Sequence, residues 1–86
     1  MKKELDYITR GTCSRAIHIE LHDDTTIADV EFMGGCNGNT QGVAALVKGM
    51  KAEDAVARLA GIRCGMKATS CPDQLARALT SMLQEN

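Results

Sequence analysis

The first half of the chain alternates apolar and polar residues with the two-residue period of β-strands. The clearest strand is predicted over Ala16–His22, where the odd-numbered positions are aliphatic and the even-numbered positions after Ala16 are histidine or glutamate. Ile27–Met33 shows the same alternation, and a shorter strand is predicted over Leu5–Arg10, where Tyr7 and Thr9 favour β-structure. Turn-forming residues separate the three stretches, so the pattern predicts three consecutive strands joined by short turns.

The second half changes to the spacing of amphipathic helices. Four apolar residues recur at intervals of three and four and predict a first helix, capped by Asn39 or Thr40: Val43, Leu46, Val47 and Met50. A second helix is predicted over about Ala52–Ala60, with Gly61 at its C-terminal cap. The third is predicted to start at a capping box, Ser70-x-x-Asp73, and to run to the end of the chain. Its apolar face is predicted to consist of Leu75, Ala78, Leu79, Met82 and Leu83.

This order predicts a single α+β domain over residues 1–86. Its sheet is a three-stranded antiparallel meander, and the three helices that follow pack on one face of it. With 86 residues, one Phe, one Tyr and no Trp, the core must be aliphatic and small.

Four cysteines lie in the predicted turns and caps rather than inside the apolar runs: Cys13, Cys36, Cys64 and Cys71. Short connections reverse the chain direction at each element. Counting these reversals brings all four cysteines to the same end of the domain. His18 lies in mid-strand and His22 near the opposite end, so both are expected to be solvated residues of the polar face rather than ligands.

The composition narrows the possible partners. Ten basic and eleven acidic residues give a net charge of −1, and no long run of either sign occurs, which argues against nucleic acid and membrane surfaces as partners. No apolar stretch is long enough to span a bilayer or to serve as a secretory signal, so we expect a cytoplasmic protein. A reducing cytoplasm disfavours two structural disulfides.

Four converging thiolates suit tetrahedral zinc or an iron–sulfur cluster. A second reading is a thiol–disulfide module in which Cys64 and Cys71, or Cys36, cycle between oxidation states. The third is a domain whose cysteines only pack, with or without a nucleotide at the glycine-rich loop Gly34–Asn39; that loop lacks the Lys-Ser/Thr ending of a phosphate-binding loop.

Thr69-Ser70-Cys71-Pro72-Asp73 spells the motif that names the TSCPD domain family. The likeness extends to residues 35–42 and 62–65, so nearly the whole chain resembles the small, stand-alone branch of this family with four cysteines. That family is in turn similar to a domain at the C-terminus of adenosylcobalamin-dependent ribonucleotide reductases. The resemblance implies a link to ribonucleotide reduction, but the chain is far too short to be the catalytic subunit.

The chain also resembles, more faintly, the U-type iron–sulfur scaffold proteins, which share the β-β-β-α-α-α order. This resemblance implies cluster-ligand positions at Cys13, Cys36 and Cys64. Where the scaffolds have Cys-Gly-Asp, this chain reads Cys13-Ser14-Arg15, and the segment by which scaffolds recruit a chaperone is replaced. Cys71 adds a fourth ligand that the scaffolds lack.

These observations predict a metal-binding accessory or interaction domain that binds zinc or an iron–sulfur cluster through its four cysteines. We expect it not to be catalytic alone and to act with a partner protein, for which ribonucleotide reductase is the candidate that the resemblance supplies.

Overall fold

The computed structural model describes residues 3–12, 14–34, 37–63 and 65–84. Three strands come first and three helices follow, as the sequence predicts; their bounds are β1 Lys3–Ile8, β2 Ser14–Leu21, β3 Ile27–Gly34, α1 Asn37–Val47, α2 Ala52–Leu59 and α3 Cys71–Gln84. The strands form one antiparallel sheet in the order β1-β2-β3, so the predicted α+β meander is confirmed.

Register gives the sheet two unlike faces. Ile17 pairs with Phe32 and Ile19 with Val30 on the inner face, where the helices pack. His18 pairs with Asp6 on β1 and with Glu31 on β3, all on the outer face. The alternation that predicted the strands therefore also separates an aliphatic face from a charged one.

The core lies between the inner face and the helices. Its residues come from β2, β3 and all three helices, and the largest fully buried side chains are Ile17, Ile19, Leu21, Ile27, Leu75 and Leu79. The predicted apolar face of α3 is confirmed, because Leu75, Ala78, Leu79 and Met82 are buried in this cluster. In α2 the small residues Ala52 and Ala55 are the buried ones, which allows that helix to lie close to α3.

The sequence prediction for α1 was wrong in two respects. Leu46 is 78% exposed, whereas Val43 and Val47 face the core as predicted and Ala44 joins them there. The helix also begins at Asn37, so Asn39 and Thr40 lie inside its first turn and are not its cap. It ends at Val47, because Gly49 adopts a positive φ of 89° and the chain turns back at Met50.

Both bounds of β1 and the first residue of β2 lie two residues before their predicted positions. β1 covers Lys3–Ile8 rather than Leu5–Arg10, although the Thr9 amide still donates to the Arg15 carbonyl. β2 begins at Ser14 rather than Ala16, because Ser14 still pairs with Gly34. A register shift lies between Ser14 and Ala16. We call this end of the sheet, where β2 begins and β3 ends, together with the start of α3, the Ser14 end.

At the opposite end of the strands, which we call the Leu21 end, backbone hydrogen bonds join the α1–α2 connection to β3. The Ile27 amide donates to the Met50 carbonyl at 2.8 Å, and the Gly49 amide donates to the Ile27 carbonyl at 2.9 Å. The Ala52 amide donates to the Thr25 carbonyl at 2.9 Å, and Thr26 and Lys51 form an isolated β-bridge. The helices are thereby fixed to the sheet by main-chain contacts.

Candidate functional site at the Ser14 end

Of the four predicted ligands, the structure describes Cys71. It is the first residue of α3 and is 6% exposed. Cys13, Cys36 and Cys64 lie outside the described residues, so their convergence stays a prediction. Their described neighbours can still be located.

Ser14, which directly follows Cys13, pairs with Gly34, which lies two residues before Cys36. Ser14 Oγ also lies 3.1 Å from Cys71 Sγ. Cys71 and residues one or two positions away from Cys13 and Cys36 therefore meet at the Ser14 end of the domain.

The segment that leads to Cys64 reaches the same end. The Ile62 carbonyl accepts a hydrogen bond from Ser70 Oγ at 2.7 Å. The Gly61 amide donates to Asp73 Oδ1, also at 2.7 Å. Ser70 directly precedes α3 and Asp73 lies in its first turn, so these two hydrogen bonds fix the chain after α2 against the N-terminus of that helix.

Four of the five residues in the Thr69–Asp73 motif have structural contacts that explain their chemistry. Ser70 Oγ caps the helix by accepting from the Asp73 amide at 3.1 Å. Pro72 stands in the first helical turn, where its missing amide hydrogen costs nothing. Thr69 donates from Oγ1 to Asp73 Oδ2 and accepts from Gln74 Nε2 at 3.0 Å.

Asp73 is the centre of this arrangement. A capping box predicts that its carboxylate bonds back towards Ser70, but it accepts from the Gly61 amide, Thr69 Oγ1 and Arg77 Nε instead. Desolvation at this buried position acts to raise the Asp73 pKa, but the hydrogen bonds from Thr69 and Gly61 and the charge of Arg77 outweigh it, so the net pKa is lowered. The carboxylate therefore stays ionised and connects three segments.

Cys71 is the remaining motif residue, and its sulfur points towards the turn between β1 and β2. Gly11 in that turn has a φ of 75°, and a Cβ there would lie 3.1 Å from Thr69 Cγ2. The Arg10 amide donates to Gln74 Oε1 at 3.1 Å. The β1–β2 turn is thus held tightly against α3, which sets the position of Ser14 relative to the sulfur.

Ser14 is a site residue that the sequence analysis missed. Its side chain is 4% exposed, and its Oγ lies 3.1 Å from both Cys71 Sγ and Thr12 Oγ1. Its carbonyl accepts from the hydroxyls of Thr9 and Thr12. A serine next to a cysteine in a turn gives little signal in a sequence; only the contact of its Oγ with Cys71 Sγ in the folded chain shows that it faces the motif.

The sheet's outer face carries a second group of possible metal ligands. His18 Nδ1 lies 2.6 Å from Asp6 Oδ1, and His18 Nε2 lies 3.2 Å from Glu20 Oε2 and 3.6 Å from Glu4 Oε1. One atom each from Glu4, His18 and Glu20 fall within 4.8 Å of one another. His18 is thus half-buried among carboxylates rather than simply solvated, and its pKa is raised, chiefly by the hydrogen bond to Asp6 and then by that to Glu20.

A cleft lies between β3 and α1. It has a volume of about 180 Å³ and is lined by Val30, Glu31, Phe32, Thr40, Gln41 and Ala44. Ligand pockets are usually about 300–1,000 Å³. This cleft therefore gives little support to nucleotide binding.

The family model of the TSCPD domain matches residues 1–83, and the chain therefore belongs to the TSCPD domain family. No curated protein and no solved structure matches the chain significantly. None of the helices in the described ranges is long and apolar enough to cross a bilayer.

Proposed function

We propose that this member of the TSCPD domain family binds one metal centre, zinc or an iron–sulfur cluster, through Cys13, Cys36, Cys64 and Cys71, and works as an accessory or interaction domain. The observation that carries the proposal is the meeting of Ser14, Gly34 and Cys71 at one end of the domain. Four thiolates are a donor set that both kinds of centre accept.

Covalent connectivity supports the proposal. Consecutive Cα atoms are about 3.8 Å apart, so a cysteine cannot be far from its described neighbour. Ser14 is bonded to Cys13, and Arg63 is bonded to Cys64, one residue beyond the Ile62 carbonyl that Ser70 holds. The contacts of Ser14 and Ile62 with the start of α3 therefore favour an arrangement in which the other thiols reach Cys71.

The surroundings of Cys71 favour the thiolate that a metal needs. The sulfur belongs to the first turn of a helix of 14 residues, where the positive end of the helix dipole stabilises an anion. A thiolate can only accept hydrogen bonds, so beside it the Ser14 hydroxyl becomes the donor. Hydrogen bonds of this kind orient metal ligands and adjust the affinity and potential of the centre.

The number of ligands favours an accessory role over catalysis. Four protein thiolates fill a tetrahedral site and leave no position for substrate. On the family's resemblance to the terminal domain of adenosylcobalamin-dependent ribonucleotide reductases, we propose a reductase of that class as the partner and the cytoplasm as the location.

The alternative is a thiol–disulfide module. Reactive cysteines are usually partly exposed, whereas Cys71 is 6% exposed. That burial favours the metal over redox exchange. The alternative remains a defined outcome of the experiment below.

The test is anaerobic purification followed by metal analysis, native mass spectrometry and a visible spectrum. We expect one zinc or one cluster per chain, released as the thiols are titrated. Each of the variants Cys13→Ser, Cys36→Ser, Cys64→Ser and Cys71→Ser should lower the metal content, and Ser81→Ala, an exposed serine on α3, should leave it unchanged.

Two results would contradict the proposal. A metal-free, folded wild-type protein whose thiols react rapidly would favour the redox module. A metal-free protein with slowly reacting thiols would favour cysteines that only pack. Because both measurements use the wild-type chain, variants that fail to fold do not affect them.

A further inference from the structure

The outer face of the sheet carries a concentration of negative charge that the net charge of the chain conceals. Register places Glu4, Glu20 and Asp29 side by side across the three strands, and Asp6, His18 and Glu31 side by side in the next row. These six neighbouring positions therefore hold five carboxylates and one histidine, in a chain whose total charge is −1.

This arrangement acts against the stability of the sheet. Like charges directly opposite one another on neighbouring strands are destabilising, and Glu20 faces Glu4 on one side and Asp29 on the other. His18 offsets part of the repulsion through its contacts with Asp6 and Glu20. Residues that break a local rule at a cost in stability are typical of binding surfaces.

A row of apolar residues adjoins the acidic rows on the same face. Ile8, Ala16 and Met33 are paired across the strands, and Ile8 and Met33 are 67% and 40% exposed. Exposed apolar side chains next to charge are a common composition for a protein interface, and methionine adapts its shape to a partner. The described helices lie on the other face and leave this row open.

We propose that the outer face of the sheet docks a positively charged segment of a partner protein, with Arg or Lys side chains over the acidic rows and apolar side chains over Ile8 and Met33. Arginine suits this surface best, because its planar guanidinium pairs with two carboxylate oxygens at once. Charge complementarity would reduce the repulsion among the carboxylates when a cationic segment docks.

A divalent cation is the competing occupant, because Glu4, His18 and Glu20 can present ligand atoms to a single ion. A cation would explain the acidic rows but not the exposed apolar row beside them. The apolar row also lies between the acidic rows and the Ser14 end, so a docked segment would extend towards Ser14 and Gly34. The observations therefore favour a protein segment.

The test uses a fluorescein-labelled peptide whose alternate residues are Arg, Arg, Leu and Leu, separated by serines, and measures its binding to the full chain by fluorescence anisotropy. The triple variant E4Q/E20Q/D29N should weaken binding by about tenfold or more, equivalent to about 1.4 kcal/mol. Met33→Ser should weaken it severalfold, and replacing both leucines of the peptide by serine should do the same.

The matched control removes three carboxylates from other exposed positions, as D23N/E53Q/D54N. It should change the affinity by less than about twofold, because Asp23 lies in the hairpin loop and Glu53 and Asp54 lie in α2, all outside the rows of the outer face. Amide spectra of all variants, recorded without peptide, show whether the fold is intact.

Three results would overturn the proposal. Equal weakening by the control variant would mean that only general attraction is measured. Binding of Mn²⁺ or Zn²⁺ that depends on His18 and Glu20, without peptide binding, would assign the face to a cation. Absence of binding by both probes would leave the face without a docking role. None of these results depends on a metal at the cysteines, which Cys71→Ser can test separately.

Discussion

At the start of α3, the buried Asp73 carboxylate accepts hydrogen bonds from three different residues, whereas on the outer face of the sheet the carboxylates of Glu4, Glu20 and Asp29 lie side by side, with Glu4 and Asp29 exposed and Glu20 partly buried. Both regions are rich in polar groups. In the first, each described buried polar side-chain atom has a partner, which fixes three chain segments in one arrangement. In the second, like charges are neighbours.

The difference separates the polar residues that stabilise the fold from those that, in our proposal, bind a partner. A buried carboxylate with complete hydrogen bonding stabilises the domain from within, and its loss leaves donors without acceptors. Neighbouring carboxylates on an exposed face lower the free energy of unfolding slightly. In our proposal, they bind a positively charged segment of a partner. Removing charge should therefore have opposite effects on stability in the two regions.

The largest effect is expected from Asp73→Ala. It leaves the Gly61 amide and Thr69 hydroxyl without their acceptor, and should lower the free energy of unfolding by about 3 kcal/mol in urea denaturation. Asp73→Asn keeps one acceptor oxygen and should cost less. Asp54→Ala, at an exposed position in α2, serves as the control and should cost less than about 1 kcal/mol. Equal losses at the two positions would contradict the structural role of Asp73.

Ser14→Ala should come next, with a loss of about 1 kcal/mol from the hydrogen bond to Cys71. In the proposed metal site it should also lower metal affinity by about tenfold and shift the Co²⁺–thiolate absorption bands, which a change in packing alone would not do. Thr80→Ala removes a hydroxyl that bonds within α3 and should leave both properties unchanged. Unchanged spectra in Ser14→Ala would remove Ser14 from the site.

Asp29→Asn should have the opposite sign. Removing one of three adjacent carboxylates should raise the free energy of unfolding by about 0.2–1 kcal/mol at low salt. The gain should shrink in high salt, because exposed charges are screened. Asp23→Asn, in the hairpin loop, is the control. A lower free energy of unfolding in Asp29→Asn would show that the carboxylates on neighbouring strands do not repel one another.

The smallest effect concerns His18, which faces Asp6, Glu4 and Glu20 and pairs across the strands with Glu31. Its pKa is raised in the folded protein, so its contribution to stability is complete below the unfolded value of about 6.5 and is lost as the pH rises through the folded value. NMR titration of the His18 ring should show the raised pKa. Asp6→Asn should lower it, because the hydrogen bond to Asp6 is its largest cause.

Much of the fold could be predicted because it follows from periodicity. The alternation in Ala16–His22 identifies both the strand and its buried face, and the spacing from Leu75 to Met82 identifies the buried face of α3. The inward face of α1 was predicted only in part: Val43 and Val47 pack against the core as expected, but its alanines and valines allow several rotations, and the one selected by packing against β3 leaves Leu46 exposed. Leu46 was assigned to the core for that reason.

The site divides in the same way. Chain reversal predicted that all four cysteines share one end. Ser14 and Gly34, the described neighbours of Cys13 and Cys36, do lie at the same end as Cys71, and the convergence of the four sulfurs stays a prediction. The roles of Ser14 and Asp73 could not be predicted, because each forms a hydrogen bond with a residue distant in the sequence. Only the folded structure shows that these partners lie close together. Cross-strand neighbours such as Glu4 and Glu20 likewise require the register, not only the strands.

The main-chain hydrogen bonds of the Leu21 end have a consequence for how the domain opens. The Ile27 and Gly49 amides are held by backbone carbonyls next to the core, whereas the Arg10 and Gly61 amides at the other end are held by side chains. In hydrogen exchange we expect the first pair to exchange only through global unfolding and the second through local opening. The two ends would then be separate units of cooperativity, and the domain could loosen around Cys71 while its strand order and helix connections persist.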